Sequence, residues 1–219
     1  MKITLSLLCI VLAAVLANHS MNAGEKPDGG SLSKQVMKAA GIRNWPEVSR
    51  VKFTFNVAVD GERKVSAEHD WDIRNGKDTV EWDGKIATAN VWNSDKNEGD
   101  AVEAYKRWVN DSYWLLAPLK LGDKGAIVKE TGKKVIEGES LPALELSFDN
   151  VGLTSNDRYV FYIDPSTKLV RYWDYMPDEK TRKTATWEEY VQTGGLTLST
   201  RHEVGNALIT ITGLEVIAD

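Results

Sequence analysis

The stretch Val51–Trp92, VKFTFNVAVDGERKVSAEHDWDIRNGKDTVEWDGKIATANVW, decides the fold. Val51, Phe53, Phe55, Val57 and Val59 point one way, and Lys52, Thr54 and Asn56 the other, which is the two-residue period of a strand. Asp60-Gly61 then supplies residues that tolerate the positive φ of a tight hairpin turn. The next run sets Val65, Ala67, His69, Trp71 and Ile73 against Lys64, Ser66, Glu68, Asp70, Asp72 and Arg74. Asn75-Gly76 turns again. Val80 and Trp82 mark a short strand, Asp83-Gly84 turns, and Ile86–Trp92 reads as a fourth strand. Four strands joined by tight turns form an antiparallel meander.

Working outward, residues 93–99 are polar and a helix is predicted from Asp100 to Leu116. Val102, Tyr105, Val109, Tyr113 and Leu116 form one helical stripe, widened by Ala101, Ala104 and Trp108. Trp114 falls with Arg107 and Asp111, off that stripe. Pro118 ends the helix. Strands follow at Ala126–Glu130, Lys134–Glu137, Leu144–Phe148, Arg158–Asp164, Leu169–Met176, Thr184–Val191, Leu196–Val204 and Leu208–Ile217. Upstream of the meander, Ser31 is placed to cap a short helix, Leu32–Ala40, which Gly41 stops. The expected fold class is α+β, mainly β. It is one domain over residues 31–219: a large curled antiparallel sheet of about ten or more strands, a half-open barrel with helices covering its concave face.

Residues 1–17 have the form of a cleavable signal peptide. Lys2 is the positive start, Ile3–Leu16 the apolar run, and Val15 and Ala17 the small residues before the cut. The run is shorter than the roughly 20 residues of a membrane span. Leu8 precedes Cys9 where a lipid-attachment site needs a small residue, so no lipid is expected there. Residues 18–30 form a polar leader. Cys9 is the only cysteine, so the processed chain has no thiol and no disulfide. The expected location is the periplasm or the exterior, with no spanning segment.

The 219 residues are 42% hydrophobic and 27% charged, an ordinary globular balance. Lys and Arg number 27 against 32 Asp and Glu, so there is no surplus of positive charge for a nucleic-acid partner. No nucleophile elbow, zinc-helix motif, phosphate loop or dinucleotide fingerprint occurs. His69-Asp70-Trp71-Asp72 resembles a metal cluster only until strand alternation places His69 opposite both aspartates. His69 and His202 lie in apolar phases and are expected inside, in the core or lining a cavity. No catalytic residue, metal or cofactor is assigned. A hydrolase using a carboxylate pair is the remaining enzymatic option, because such a pair needs no local motif.

The aromatic load is the informative feature, with 8 Trp against 4 Phe. Trp71, Trp82 and Trp92 sit on successive strands. Tyr105, Trp108, Tyr113 and Trp114, followed by Leu115 and Leu116, sit on the middle helix. Phe161 and Trp173 sit on a later hairpin that is apolar in both phases: Tyr159, Phe161 and Ile163 in one, Val160 and Tyr162 in the other. Two readings stand side by side. These residues, with His69, either fill a core or line a cavity for an apolar ligand.

The hairpin YVFYIDPSTKLVRYWDY (159–175), placed after a signal, a short helix, a meander and a central helix, resembles the LolA/LolB-type fold of outer-membrane lipoprotein carriers. AYKRWVNDSYWLLAPLKLGDKG (104–125), LSFDNVGLTSNDRYVFYID (146–164) and Gly194-Gly195-Leu196 are similar to an uncharacterised family of exported bacterial proteins assigned to that superfamily. The resemblance implies a hollow, closed by helices, that takes up acyl chains. The arginine with which carriers hold their lid has no counterpart that can be placed on this chain. Three functions follow as expectations. The first is an exported non-catalytic protein that binds or carries a lipid or acylated protein. The second is a sensor or interaction module whose hollow is filled. The third is a hydrolase.

Overall fold

The computed structural model describes residues 31–148 and 157–219. The expected signal peptide and leader lie outside the described residues. The chain opens with helix α1 (Leu32–Ala39). Ser31 holds the cap position without a side-chain cap bond. Glu130 does that work from a distance, accepting the Leu32 N–H at 2.5 Å. Gly41 ends the helix at φ +92 and leads into a 3-10 turn, Ile42–Glu47.

The meander follows as read: β1 (Val48–Val59), β2 (Glu62–Asp72), β3 (Lys77–Trp82) and β4 (Lys85–Asn90). The helix Asp100–Leu116 is α2, and a 3-10 turn, Ala117–Gly122, continues it. Then come β5 (Ala126–Ile136), β6 (Glu139–Phe148), β7 (Arg158–Ile163), β8 (Val170–Met176), β9 (Lys183–Thr186), β10 (Glu188–Thr193), β11 (Leu196–Val204) and β12 (Ala207–Ala218).

The class is as expected, mainly β with a helix packed against the sheet, and the strands divide between two antiparallel sheets rather than one. The seven-stranded sheet runs β10-β11-β12-β1-β2-β3-β4, and the five-stranded sheet runs β5-β6-β7-β8-β9. Neither closes into a barrel. The chain leaves the first sheet through α2 and returns at Trp187. The expected strand Thr184–Val191 is broken there into β9 and β10, which belong to different sheets. Trp187 is buried, its main-chain N–H donates to the Arg171 carbonyl at 2.8 Å, and Glu189 beyond it takes φ +50. Burying a large ring at the seam and a positive φ two residues later turn the chain out of one ladder and into the other. The opposite error occurs at Ala126–Glu130 and Lys134–Glu137. They are one edge strand, kinked by a register shift beside Gly132 at φ +74. A bulge with flanking lysines is an ordinary defence of an exposed edge.

Val51, Phe53, Phe55 and Val57 of β1 and Ala67, His69 and Trp71 of β2 face the interior, in the predicted phase. Asp70 faces outward and pairs with Arg50 and Lys52. The N-terminal part of α2 leaves Val102 partly exposed, but Asp111–Leu116 is buried all round. The single-stripe reading of this helix is therefore corrected. Both sheets contribute side chains around its second half, so Asp111 and Trp114, expected off the buried stripe, are inside. The two apolar phases of β7 also have a simple cause. Tyr159, Phe161 and Ile163 join the main core, while Val160 and Tyr162 join Leu141 and Ala143 in a separate cluster on the outer face. Buried Asp174 in β8 belongs to that outer face, accepting from the Tyr162 hydroxyl at 2.6 Å and from Thr184 Oγ1 at 2.7 Å.

Candidate functional site

The contact of α2 with the sheets holds most of the residues singled out from the sequence, in two groups along the helix. The first group is charged. His69 projects inward from β2, with the Phe53 ring stacked on it at 4.5 Å. Its Nδ1 donates to Asp78 Oδ2 at 2.7 Å and its Nε2 donates to Asp111 Oδ2 at 3.0 Å. Asp78 reaches it diagonally from β3, because Trp71 is the direct partner of Asp78 in the ladder. Asp111 reaches it from α2. All three side chains are buried. Burial alone would push the His69 pKa down, but the two carboxylates outweigh it and hold the imidazolium up to about 9. Burial pushes Asp78 up, and the His69 charge opposes that. Asn110 Nδ2 donates to the other oxygen of Asp111 at 2.7 Å. The result is a clasp between helix and sheet in which both histidine nitrogens are taken. No lone pair is left for a metal or for base catalysis. Among the described residues, no group of three or more His, Cys, Asp or Glu is placed to hold a metal ion.

Beside the clasp, Trp71 meets Trp108 of α2 edge to face at 5.2 Å, and Tyr105 stacks on Trp108 at 5.7 Å. The Arg107 guanidinium lies 5.2 Å over the Trp82 ring.

The second group is aromatic and neutral. Trp173 of β8 is its centre. Trp114 lies 4.6 Å away, Trp187 and Tyr159 5.2 Å, Tyr113 5.8 Å and Phe161 5.9 Å. His202 of β11 closes this group against Trp187 at 4.6 Å and Trp114 at 5.2 Å. Its Nδ1 donates to the Thr186 carbonyl at 3.0 Å, a bond from one sheet to the other. Burial, only partly opposed by the Thr186 and Trp114 main chain, pushes its pKa down to about 4, so the ring is neutral. Leu115 and Leu116 are buried at the same end of the helix.

The structure thus brings together Trp71, Trp82, Tyr105 and Trp108 at one end and Tyr113, Trp114, Phe161 and Trp173 at the other. In this conformation the rings pack on one another. Trp92 is the exception. It lies past the end of β4, 39% exposed, with its ring over Gly76, and it does not face the interior. Gly76 sits at φ +61 and a Cβ there would fall 2.2 Å from that ring, so the glycine creates the seat. Sequence reading missed Asp78, Asp111 and Trp187 as site residues. A signal existed for Asp78, which shares a phase with Val80 and Trp82. An acid in an apolar phase asks for a buried partner.

No curated protein sequence matches the chain. Among solved structures, a LolA superfamily protein from Nitrosomonas europaea is similar at 9% identity and a TM-score of 0.49, over 87% of this chain and 96% of that one. A DUF1329 family protein from Desulfovibrio piger is similar at 11% identity and a TM-score of 0.45, over 85% and 94%. The Mycobacterium tuberculosis lipoprotein LppX is similar at 14% identity and a TM-score of 0.30, over 88% and 100%. These likenesses concern the path of the chain, and function has to be read from the residues themselves. The sequence model that does match spans residues 52–214, from the first strand of the meander to the last strand of the sheet, and so the chain belongs to DUF6503, a family of unknown function.

Proposed function

We propose that this is an exported, non-catalytic protein that binds or carries an apolar ligand, a lipid or the acyl chain of an acylated protein, beneath α2. One observation carries the reading. The second half of α2 is wedged against an aromatic wall made of Trp173 and Tyr159 from the five-stranded sheet, Trp187 at the seam and His202 from the seven-stranded sheet, two sheets that share no backbone ladder. A helix in that position can lift without breaking a β ladder, at the cost of the His69–Asp111 bond, and lifting it would uncover a ring-lined surface of the kind that takes acyl chains. Export is supported by the form of residues 1–17, and no helix among the described residues is long and apolar enough to cross a membrane. A non-catalytic role is supported by the clasp, which occupies both nitrogens of His69.

A second reading, an interaction module with a filled interior, is favoured by the packing of the rings on each other. Native mass spectrometry of the protein purified from its own host separates the two. A retained lipid is expected. A bare chain whose tryptophan emission is unmoved by added lipid would favour the interaction module.

A further inference from the structure

Four buried indole N–H groups, those of Trp71, Trp108, Trp173 and Trp187, have no hydrogen-bond partner among the described residues, and neither does the Tyr113 hydroxyl. An indole nitrogen can only donate. Interiors hold few such orphans, because each one forfeits its hydration without compensation. These orphans are not scattered. Trp173 meets Trp187 at 5.2 Å and Tyr113 at 5.8 Å, and Trp114 of α2 lies against Trp173. Trp71 and Trp108 form the other pair, at 5.2 Å. From Trp108 to Trp114 the helix rises about 9 Å. The contact between α2 and the residues beneath it is therefore apolar in its ring faces and carries unpaired donors at the ring edges.

We propose that the ligand taken up beneath α2 carries an uncharged acyl ester, whose carbonyl oxygen accepts from the indole N–H groups of Trp173 and Trp187 while its hydrocarbon lies on the rings. This rests on the binding reading above and adds the chemistry of the polar end. Charge decides among head groups. The charges facing Tyr113 are the carboxylates of Asp123 and Asp157, which together with burial hold its hydroxyl protonated. Lys120 is engaged by Asp123 at 2.8 Å. His202, against Trp187, is neutral. A free carboxylate or phosphate would meet negative charge there. An ammonium would be drawn by those carboxylates but has no lone pair to accept from the indole N–H groups of Trp173 and Trp187, which would stay unpaired. A neutral ester offers acceptors alone.

The test uses the signal-free protein and three probes of one chain length: methyl oleate, oleate and 1-octadecene. Each competes against a bound apolar fluorescent dye. Methyl oleate is expected to displace the dye at roughly tenfold lower concentration than the other two, the factor that buried hydrogen bonds to a neutral acceptor supply. Trp173→Phe combined with Trp187→Phe should bring methyl oleate to the level of 1-octadecene, with 1-octadecene itself unchanged. Trp187→Phe alone should lose part of the preference and serves if the double variant does not fold. Equal or better displacement by oleate or 1-octadecene overturns the ester assignment and leaves apolar binding standing. So does a preference that survives both variants. Failure of all three probes to displace the dye, or to move tryptophan emission in the dye-free protein, overturns the binding reading and the ester assignment together.

Discussion

Two histidines in the same interior behave in opposite ways. His69 and His202 are both buried, and each touches α2 through ring or hydrogen-bond contacts. His69 sits between two carboxylates and its pKa rises to about 9. His202 sits among tryptophans with only the Thr186 and Trp114 main chain to support a charge, and its pKa falls to about 4. Burial opposes the charge in both cases, so the neighbours decide the sign. The difference divides the underside of α2 into a charged end that fixes the helix and a neutral end with rings and unpaired donors. A clasp specifies where a helix docks. An apolar seam specifies this weakly, because rings can slide and repack.

The largest effect should come from removing one member of the clasp and leaving the others buried. Asp111→Ala leaves the buried imidazolium with one partner, and His69→Ala leaves two carboxylates facing each other. Each should destabilise the fold by about 3–5 kcal/mol in urea titrations. Replacing all three with leucine should recover most of that loss, since a buried ion network is often no better than good apolar packing. A triple variant as unstable as the single ones would contradict the clasp as described.

Trp108→Ala should cost a similar amount, about 3–5 kcal/mol if its packing is not rebuilt. Unlike the clasp variants, it should also weaken binding of an apolar probe under conditions where the protein is still folded, because it removes a wall of the proposed site. A fall in stability with no change in probe affinity would move the site away from this end.

The pH dependence should differ for the two rings. His69 has a raised pKa, so its stabilisation is complete below about 6.5 and is lost as pH rises through about 9, roughly 3 kcal/mol in all. His202 has a lowered pKa, so its share is present above about 6.5 and is lost as pH falls toward about 4. His202→Phe should flatten the acid side of the stability profile and leave the alkaline side in place. NMR should show a charged His69 ring and a neutral His202 ring in one sample at pH 5.5. Matching protonation states would remove the contrast.

Trp92→Ala should have the smallest effect, about 1 kcal/mol or less, because the ring is partly exposed. It should leave probe binding unchanged.

How far these regions were legible follows from how local their causes are. The meander could be read because alternation and Asp-Gly and Asn-Gly turns act within a few residues. That reading put His69 inside and Asp70 outside, where they are found. The clasp could not be read as a unit. Its three members come from two strands and a helix, and nothing in sequence spacing says that Asp111 will meet His69. The division into two sheets hid for the same reason, since Trp187 breaks its strand to fill a distant seam. Trp92 was misplaced because alternation was carried past Asn90, where Gly76 offers the ring a seat outside.

The most direct measurement is hydrogen exchange along Ala104–Leu116 of the signal-free protein, with and without a bound neutral lipid. A helix that opens over a ligand should exchange faster than the paired strands β1 and β12 in the free protein, and lipid should slow it without altering those strands. Exchange in α2 as slow as in the central strands, and unmoved by lipid, would contradict binding beneath the helix.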